Sequence, residues 1–247
     1  MLGSIGGSKK WEWAASGKHP TAKDYFWIGA ASPIVKAFSN WVERGYQSLS
    51  SNRECAKDLC AWRFWAKGAK KGAILCGLIK SSSDKIGRGY PLLVAGTGPL
   101  DNFEAKWDLV PFACEKTWVQ MEYVAARRMT DFEQLESEIH SLQAPVSDWS
   151  RLEADRRAVV QGEYIAARRS LAEVAGKDAM MIPLADGHGA DIHVLAGLCH
   201  LWLKEDGGQV PNAVFIGDDV DGGTLGLFKR ALNPGDFVEL WRHGCDR

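Results

Sequence analysis

The sequence has no long hydrophobic run and almost no net charge, and each absence excludes a class of protein. No segment approaches the roughly 18 consecutive apolar residues of a transmembrane helix, so membrane insertion is not expected. Residues 1–10 lack the apolar core of a signal peptide, which predicts a flexible leader and a cytoplasmic location. The 30 basic and 31 acidic residues leave a net charge of -1, which gives no overall field for holding nucleic acid.

Cysteine is too sparse for a disulfide framework, because the 247 residues contain 6 cysteines and no Cys-x-x-Cys pair. The cysteines are therefore predicted to be reduced thiols that mostly fill the core. Tryptophan, by contrast, is frequent among the first 65 residues, at positions 11, 13, 27, 41, 62 and 65. A large apolar ring with a single N–H donor is typical of cores and interfaces, and we expect most of these rings to be buried.

Apolar segments of strand length occur near both ends of the chain, and helical composition dominates its middle. The predicted strands are 11–15, 60–66, 73–79, 90–95, 212–217 and 224–230. The first predicted helix begins at Pro33 behind Ser32 as N-cap. Helices then fill the middle from about 116 to 178 with a break at Ala144-Pro145, cover 189–205, and follow Asn233-Pro234. This order predicts a single α+β domain over 11–247, with a mixed or antiparallel sheet packed against helices.

The helical middle contains an internal sequence repeat. Val119–Arg128 nearly repeats as Val160–Arg169, and each copy has a Val, Tyr and Ala stripe at helical spacing. Two copies are too few for a solenoid, so we predict a helical hairpin in which the two stripes pair. The alternative is a binding surface built from Arg127-Arg128 and Arg168-Arg169. A separate pattern, Ser150-Arg-Leu-Glu153, fits a capping box and predicts a local helix start.

Two groups of residues have the composition of a metal site. Asp186-Gly-His-Gly189 resembles a metal-binding motif of PPM-type phosphatases, and the carboxylates of Asp191, Asp218, Asp219 and Asp221 could add oxygen ligands. Zinc could use His188, His193, Cys199 and His200, but neighbouring Cys199 and His200 cannot share one helical face. We interpret the loop as structural and the helix residues as core. No nucleophile elbow, P-loop or His-Glu-x-x-His occurs, so neither a catalytic residue nor a cofactor is predicted.

Several short motifs occur in a characteristic order. Gly17-Lys-His-Pro20 and Lys23-Asp-Tyr-Phe26 precede a helix containing Trp41, and Trp62-Arg-Phe-Trp65 follows. Ser83 to Leu92 then reads Ser-Asp-Lys-Ile-Gly-Arg-Gly-Tyr-Pro-Leu. This set resembles the opening of the TagF family associated with bacterial type VI secretion, and Arg230–Phe237 resembles the family's closing strand-to-helix step. The chain departs from the family at Lys23, where a glycine is usual.

The resemblance implies a non-enzymatic protein that represses type VI secretion after translation by binding a partner, such as the forkhead-associated scaffold protein of the system. The alternatives are a structural subunit of a secretion assembly and, less favoured, a metal-dependent phosphatase or hydrolase. The residues predicted to act as scaffold or interface are Ser83, Asp84, Gly87, Arg88, Trp62 and Arg63.

Local chemistry adds three expectations for the loop that contains Ser83. Asp84 and Arg88 are four residues apart and are predicted to pair across the loop. Arg88 is expected to be partly buried, and Pro91 to begin an edge strand.

Overall fold

A computed structural model describes residues 10–50, 60–159, 177–184, 192–217 and 223–243. The strands are β1 (Glu12–Gly17), β2 (Phe26–Gly29), β3 (Ala61–Lys67), β4 (Ala73–Lys80), β5 (Leu92–Pro99), β6 (Ala179–Pro183), β7 (Ala213–Gly217) and β8 (Thr224–Phe228). The helices are α1 (Pro33–Ser50), α2 (Val110–Ala126), α3 (Phe132–His140), α4 (Trp149–Val159), α5 (Ile192–Glu205) and α6 (Pro234–His243), with a 3-10 helix at Trp107–Leu109 before α2.

The eight strands form one sheet in the order β2-β1-β5-β4-β3-β7-β8-β6, and all of its strand pairs are antiparallel. The pairing of β3 with β7, in which Phe64 lies opposite Phe215, joins the first half of the chain to the last. The predicted α+β class is therefore confirmed.

Side chains alternate between the two faces of the sheet, and each face is covered by helices. Trp62 and Phe64 point to the face that α1 and α6 cover, while Trp65 points to the face that α2, α3 and α5 cover. The helices α1 and α6 approach closely, because a Cβ on Gly45 would lie 2.4 Å from the Cβ of Phe237. Burial of these aromatic rings confirms the expected role of tryptophan and contributes about 25 cal/mol per Å² of apolar area.

The final helix begins as predicted. Asn233 Oδ1 accepts from the Asp236 N–H at 3.2 Å, and Asp236 Oδ2 accepts from the Asn233 N–H at 2.7 Å, which makes a reciprocal cap. Arg230 holds the Asp236 carboxylate through two bonds of 2.7 Å. The motif Arg230–Phe237 therefore docks α6 against the sheet, with Phe237 in the core.

Two predictions about element boundaries were wrong, and a third was right in position only. Ser32 is the N-cap residue of α1, because its carbonyl accepts from the Lys36 N–H at 3.0 Å, but its hydroxyl has no hydrogen-bond partner in the described structure. Asp148 caps α4 by accepting from the Arg151 N–H at 3.2 Å, two residues before the predicted Ser150. Pro91 precedes β5, which lies between β1 and β4 and is not an edge strand.

The middle of the chain is also more divided than its composition predicts. Helix α2 ends at Ala126, and α3 starts behind Asp131, whose carboxylate accepts from the Gln134 N–H at 2.9 Å. The repeat copy at 160–169 lies outside the described residues, as does nearly all of the predicted leader. The predicted hairpin therefore stays a prediction. Among the helices of the described ranges, none has the length and apolar character to cross a membrane.

Candidate functional site

Two loops that carry the sequence motifs meet at one end of the sheet. β1 pairs with β5 so that Gly17 lies opposite Leu92, and this register places the β1–β2 loop beside the β4–β5 loop. A backbone hydrogen bond of 2.9 Å from the Lys85 N–H to the Ala22 carbonyl joins them. We call the outer surface of residues 18–25 and 83–90 the motif-loop surface.

Gly17 permits this close approach of the two loops. Its φ of 118° is unfavourable for side chains, and a Cβ would lie 2.0 Å from the Pro91 carbonyl oxygen. Gly87 at the turn of the second loop has a φ of 83°, and a Cβ at this position would have no neighbour within 4 Å. Gly17 is therefore required by packing, and Gly87 by backbone conformation.

Asp84 lies beneath the motif-loop surface and is buried, although it belongs to a loop. Its Oδ1 accepts from the N–H groups of Ile86 at 3.1 Å and Arg88 at 2.9 Å. Its Oδ2 accepts from Arg88 Nε at 2.6 Å and lies 3.0 Å from Lys18 Nζ. The predicted pairing of Asp84 with Arg88 is confirmed, and Lys18 supplies a second cation that the sequence did not indicate.

These contacts control the protonation of Asp84. Burial by itself raises the pKa of Asp84, but the Arg88 N–H, the Lys18 ammonium, the Arg88 guanidinium and the Ile86 N–H outweigh it. The pKa of Asp84 therefore lies well below its usual range, and the carboxylate is charged at neutral pH. An ionised carboxylate with four donors holds the loop in one conformation.

Arg88 extends the network to solvent. Its Nη2 donates to the Lys23 carbonyl at 3.1 Å and lies 3.1 Å from Asp24 Oδ2. The Tyr25 N–H and the Arg88 guanidinium lower the pKa of Asp24. Half of the Arg88 side chain is exposed, so the arginine is partly buried as expected, and the fully buried member of the pair is Asp84.

Large apolar side chains remain exposed beside this network. Ile86 is 74% exposed at the tip of the β4–β5 loop, and Tyr25 is 47% exposed on the neighbouring loop. The Tyr25 ring packs edge-on against Tyr90 at 5.6 Å, and Tyr90 packs against Tyr46 of α1 at 5.1 Å. Burial raises the pKa of Tyr90, so its phenol is neutral. The motif-loop surface thus combines a charged network with two exposed apolar side chains.

Of the remaining predicted site residues, Ser83 belongs to the motif loops, and Trp62 and Arg63 do not. Ser83 lies at the base of the loop, where it forms a bridge with Gly89. Trp62 is buried against Gly217, which excludes contact with a partner. Arg63 faces α2 and binds Glu122 through bonds of 2.5 and 2.7 Å. Trp62 and Arg63 are therefore scaffold.

The predicted metal ligands have two different outcomes. Asp186, His188, Asp191, Asp218, Asp219 and Asp221 lie outside the described residues, so the structural interpretation of that loop stays a prediction. His193 stacks on Trp118, and Cys199 is buried, which raises the pKa of its thiol to about 12. Within the described ranges, no group of three or more His, Cys, Asp or Glu side chains could hold a metal ion.

His200 has both ring nitrogens occupied by protein partners. Its Nδ1 lies 2.6 Å from the Ala196 carbonyl, and its Nε2 accepts from Trp65 Nε1 at 3.2 Å. Burial lowers its pKa to about 4, so the ring is neutral at pH 7. Since the carbonyl can only accept, Nδ1 carries the proton and His200 is a core residue.

A second buried carboxylate, Asp108 of the 3-10 helix, was not indicated by the sequence. Its Oδ2 accepts from Arg156 of α4 at 2.6 Å and its Oδ1 from Lys204 of α5 at 2.5 Å. Burial raises the pKa of Asp108, but the bonds from Lys204 and Arg156 outweigh it and lower the pKa. These partners are 48 and 96 residues away, so no local pattern connects them.

Comparisons with known proteins identify the fold and the family. No curated protein matches the chain. The crystal structure of PA0076 from Pseudomonas aeruginosa PAO1 is similar in fold, with a TM-score of 0.54 and 15% identity over 93% of each chain. A family model described as the TagF N-terminal domain, type VI secretion system-associated, matches residues 14–144, which is more than half of the chain and includes both motif loops. The chain therefore belongs to the type VI secretion-associated TagF family.

Proposed function

We propose that this protein represses type VI secretion after translation, in the cytoplasm, by binding a protein partner and without catalysing a reaction. The observation that carries the proposal is the motif-loop surface. Family membership links the protein to type VI secretion. The exposed Ile86 and Tyr25 provide a surface suited to contact with another protein.

The physical argument is preorganisation. Ordering a free loop on binding costs conformational entropy, and loops that are already held in one conformation avoid that cost. The Asp84 carboxylate ties both loops together before any partner arrives. Ile86 and Tyr25 are therefore presented in a defined arrangement, as an apolar centre with a charged rim.

The charges around this centre indicate the partner's character. Lys85 precedes Ile86 in its loop, Arg88 is half exposed in the same loop, and Lys23 and Asp24 are exposed in the neighbouring loop. A partner with an apolar depression and acidic margins fits this arrangement. Within the secretion system, we propose the forkhead-associated scaffold protein as that partner.

Gene deletion tests the direction of the effect. We expect deletion in the bacterium that carries the gene to raise the amount of type VI-secreted protein in the medium, and overproduction to silence secretion. If deletion instead abolishes secretion, the protein is a structural subunit of the assembly and the proposal is wrong. Transcript levels of the secretion genes should stay unchanged in both strains, because the proposed repression acts after translation.

Co-purification tests the partner. The tagged wild-type chain should retain the forkhead-associated protein, whereas Ile86→Asp should lose it because a carboxylate would enter the apolar contact. The matched control is Ala69→Asp, which adds the same charge at an exposed position in the β3–β4 turn, at the opposite end of β4. Loss of the partner with both variants would show that added charge, rather than this surface, is responsible.

A further inference from the structure

Three tyrosines form a cluster where the motif-loop surface meets helix α1. Tyr25 and Tyr90 belong to the two motif loops, and Tyr46 lies on α1. The Tyr90 ring packs edge-on against Tyr25 and Tyr46, with 5.6 and 5.1 Å between ring centres. All three residues remain partly exposed. This tyrosine cluster therefore continues the motif-loop surface onto α1.

Helix α1 holds the tyrosine cluster in place. The Tyr25 hydroxyl lies 3.2 Å from Ser39 Oγ, which is itself 3.1 Å from Ser16 Oγ. Tyr46 follows Ser39 by seven residues and so lies on the same face of α1. The centre of its ring is 6.2 Å from that of Trp241 in α6. Because the rings have fixed neighbours, little side-chain freedom remains to be lost when a partner binds.

An acidic side chain lies beside the tyrosine cluster. Glu43 is exposed on the same face of α1 as Tyr46, which follows it by three residues. Its Oε1 accepts from Gln47 Nε2 at 3.4 Å. Lys36 and Arg44 are the two cations of α1, and neither forms an ion pair with Glu43 in the described structure. The charge of Glu43 is therefore not matched within its own helix.

The tyrosine cluster lies within electrostatic reach of this carboxylate. Burial first, and then repulsion from groups that include Glu43, raise the pKa of Tyr90. The Tyr90 phenol is therefore neutral, and Glu43 is the charged group beside it. The face of an aromatic ring is electron-rich and attracts cations, as a carboxylate does. The rings and the acid thus favour the same kind of ligand, a cation.

We propose that the tyrosine cluster and Glu43 receive a basic side chain of the protein partner. This inference rests on the proposed function, because it adds one contact to the same surface. Arginine suits the site better than lysine, since a guanidinium stacks on aromatic rings and binds a carboxylate through two N–H groups. The partner then presents acids to the basic loops and a base to α1. This alternation of charge favours one orientation of the complex.

The role of the acid is tested by titrating purified variants with the forkhead-associated protein in a calorimeter. Glu43→Gln should raise the Kd by about threefold or more, because it removes the charge and keeps the shape. The matched control is Glu12→Gln, which removes the same charge at the exposed start of β1, at the opposite end of that strand from the motif loops. It should bind as the wild type does. Equal affinities of Glu43→Gln and wild type would overturn the proposal.

The role of the rings is tested by two replacements of Tyr46. Tyr46→Phe keeps an aromatic face and should bind within about twofold of the wild type. Tyr46→Leu keeps only apolar area and should raise the Kd by about threefold or more. Thermal melting checks that both variants stay folded. A folded Tyr46→Leu protein that binds as tightly as wild type would show that an apolar contact suffices, and the proposal would be wrong.

The same titrations separate this inference from the proposed function. A wild type that binds no forkhead-associated protein would refute the proposed partner, and the basic contact with it. Binding that Ile86→Asp abolishes, but that Glu43→Gln and Tyr46→Leu leave unchanged, would support the motif-loop surface and refute only the contact with the tyrosine cluster.

Discussion

Asp84 and Asp108 are both buried carboxylates with two cations, but their surroundings differ. Asp84 lies in a loop, binds two backbone N–H groups, and shares Arg88 with solvent. Asp108 lies among helices and binds Arg156, whose side chain is only 9% exposed. The first network therefore shapes a surface. The second joins α4 and α5 to the 3-10 helix that precedes α2.

This difference shows that burial of a carboxylate does not by itself determine how much its ion pairs stabilise the fold. Where a cation is almost fully buried, as Arg156 is, removing the carboxylate leaves buried positive charge, and the penalty is a loss of stability. Where the cation remains half exposed, water replaces the carboxylate and the penalty is smaller. The predictions below separate the two cases, from the largest expected effect on stability to none.

The largest effect is expected for Asp108→Asn. This change leaves Arg156 without a full counter-charge, and we expect the free energy of unfolding to fall by about 3–5 kcal/mol. Urea denaturation at pH 7 measures the loss. Asp155→Asn in the same helix as Arg156 should change stability by no more than about 0.5 kcal/mol, because Asp155 is exposed. Equal effects of the two changes would refute the assigned role of Asp108.

The dependence of stability on pH tests whether the buried His200 ring is shielded from protonation. Its native pKa of about 4 lies below the usual 6.5, so only the unfolded chain takes up the proton as pH falls between these values. Stability is complete above pH 6.5 and decreases toward pH 4, by about 3 kcal/mol for this group.

The measurement compares wild type with His200→Gln, which keeps an acceptor for Trp65, in urea titrations at pH 7, 5.5 and 4. The carboxylates titrate in both proteins and cancel in the difference. The wild type should lose more stability than the variant across this range. Parallel curves would show that the His200 ring is not shielded from protonation.

A smaller loss of stability is expected for Asp84→Asn, because its cations reach solvent or Asp24 once the carboxylate is removed. Arg88→Ala should lose less again, since Lys18 remains on Asp84. Thermal melting of the three proteins checks the order. Because the pKa of Asp84 is depressed, its contribution is present at neutral pH and disappears as pH falls below the usual aspartate range. An arginine effect larger than the aspartate effect would contradict this description.

Local chemistry predicted much of the fold but few of its long-range contacts. The helix after Pro33, the cap at Asn233 and the strands around the β4–β5 loop follow from turn residues and apolar spacing that lie close together in the sequence. The strands β2 and β6 were not predicted: β2 has four residues, and β6 follows a segment of helical composition. Strand pairing, rather than local propensity, determines such elements.

The candidate site shows the same contrast between local contacts, which were predictable, and long-range contacts, which were not. The pairing of Asp84 with Arg88 was predictable because four residues separate them, but Lys18 and Asp24 are about 60 residues away and are brought in by the β1–β5 pairing. The exposure of Ile86 could not be predicted either, because an apolar residue in a turn-rich loop is compatible with burial. The resemblance pointed to motifs that are far apart in the sequence, and the sheet explains why they lie together.

Secretion by a deletion strain that produces Ile86→Asp tests the central claim most directly. Ile86 is 74% exposed, so the change should leave thermal stability unaltered and remove only the proposed contact. We predict that Ile86→Asp fails to silence type VI secretion at a protein level where wild type and Ala69→Asp both silence it. Silencing by a folded Ile86→Asp protein to the same extent as wild type would contradict the claim that the motif-loop surface binds the partner.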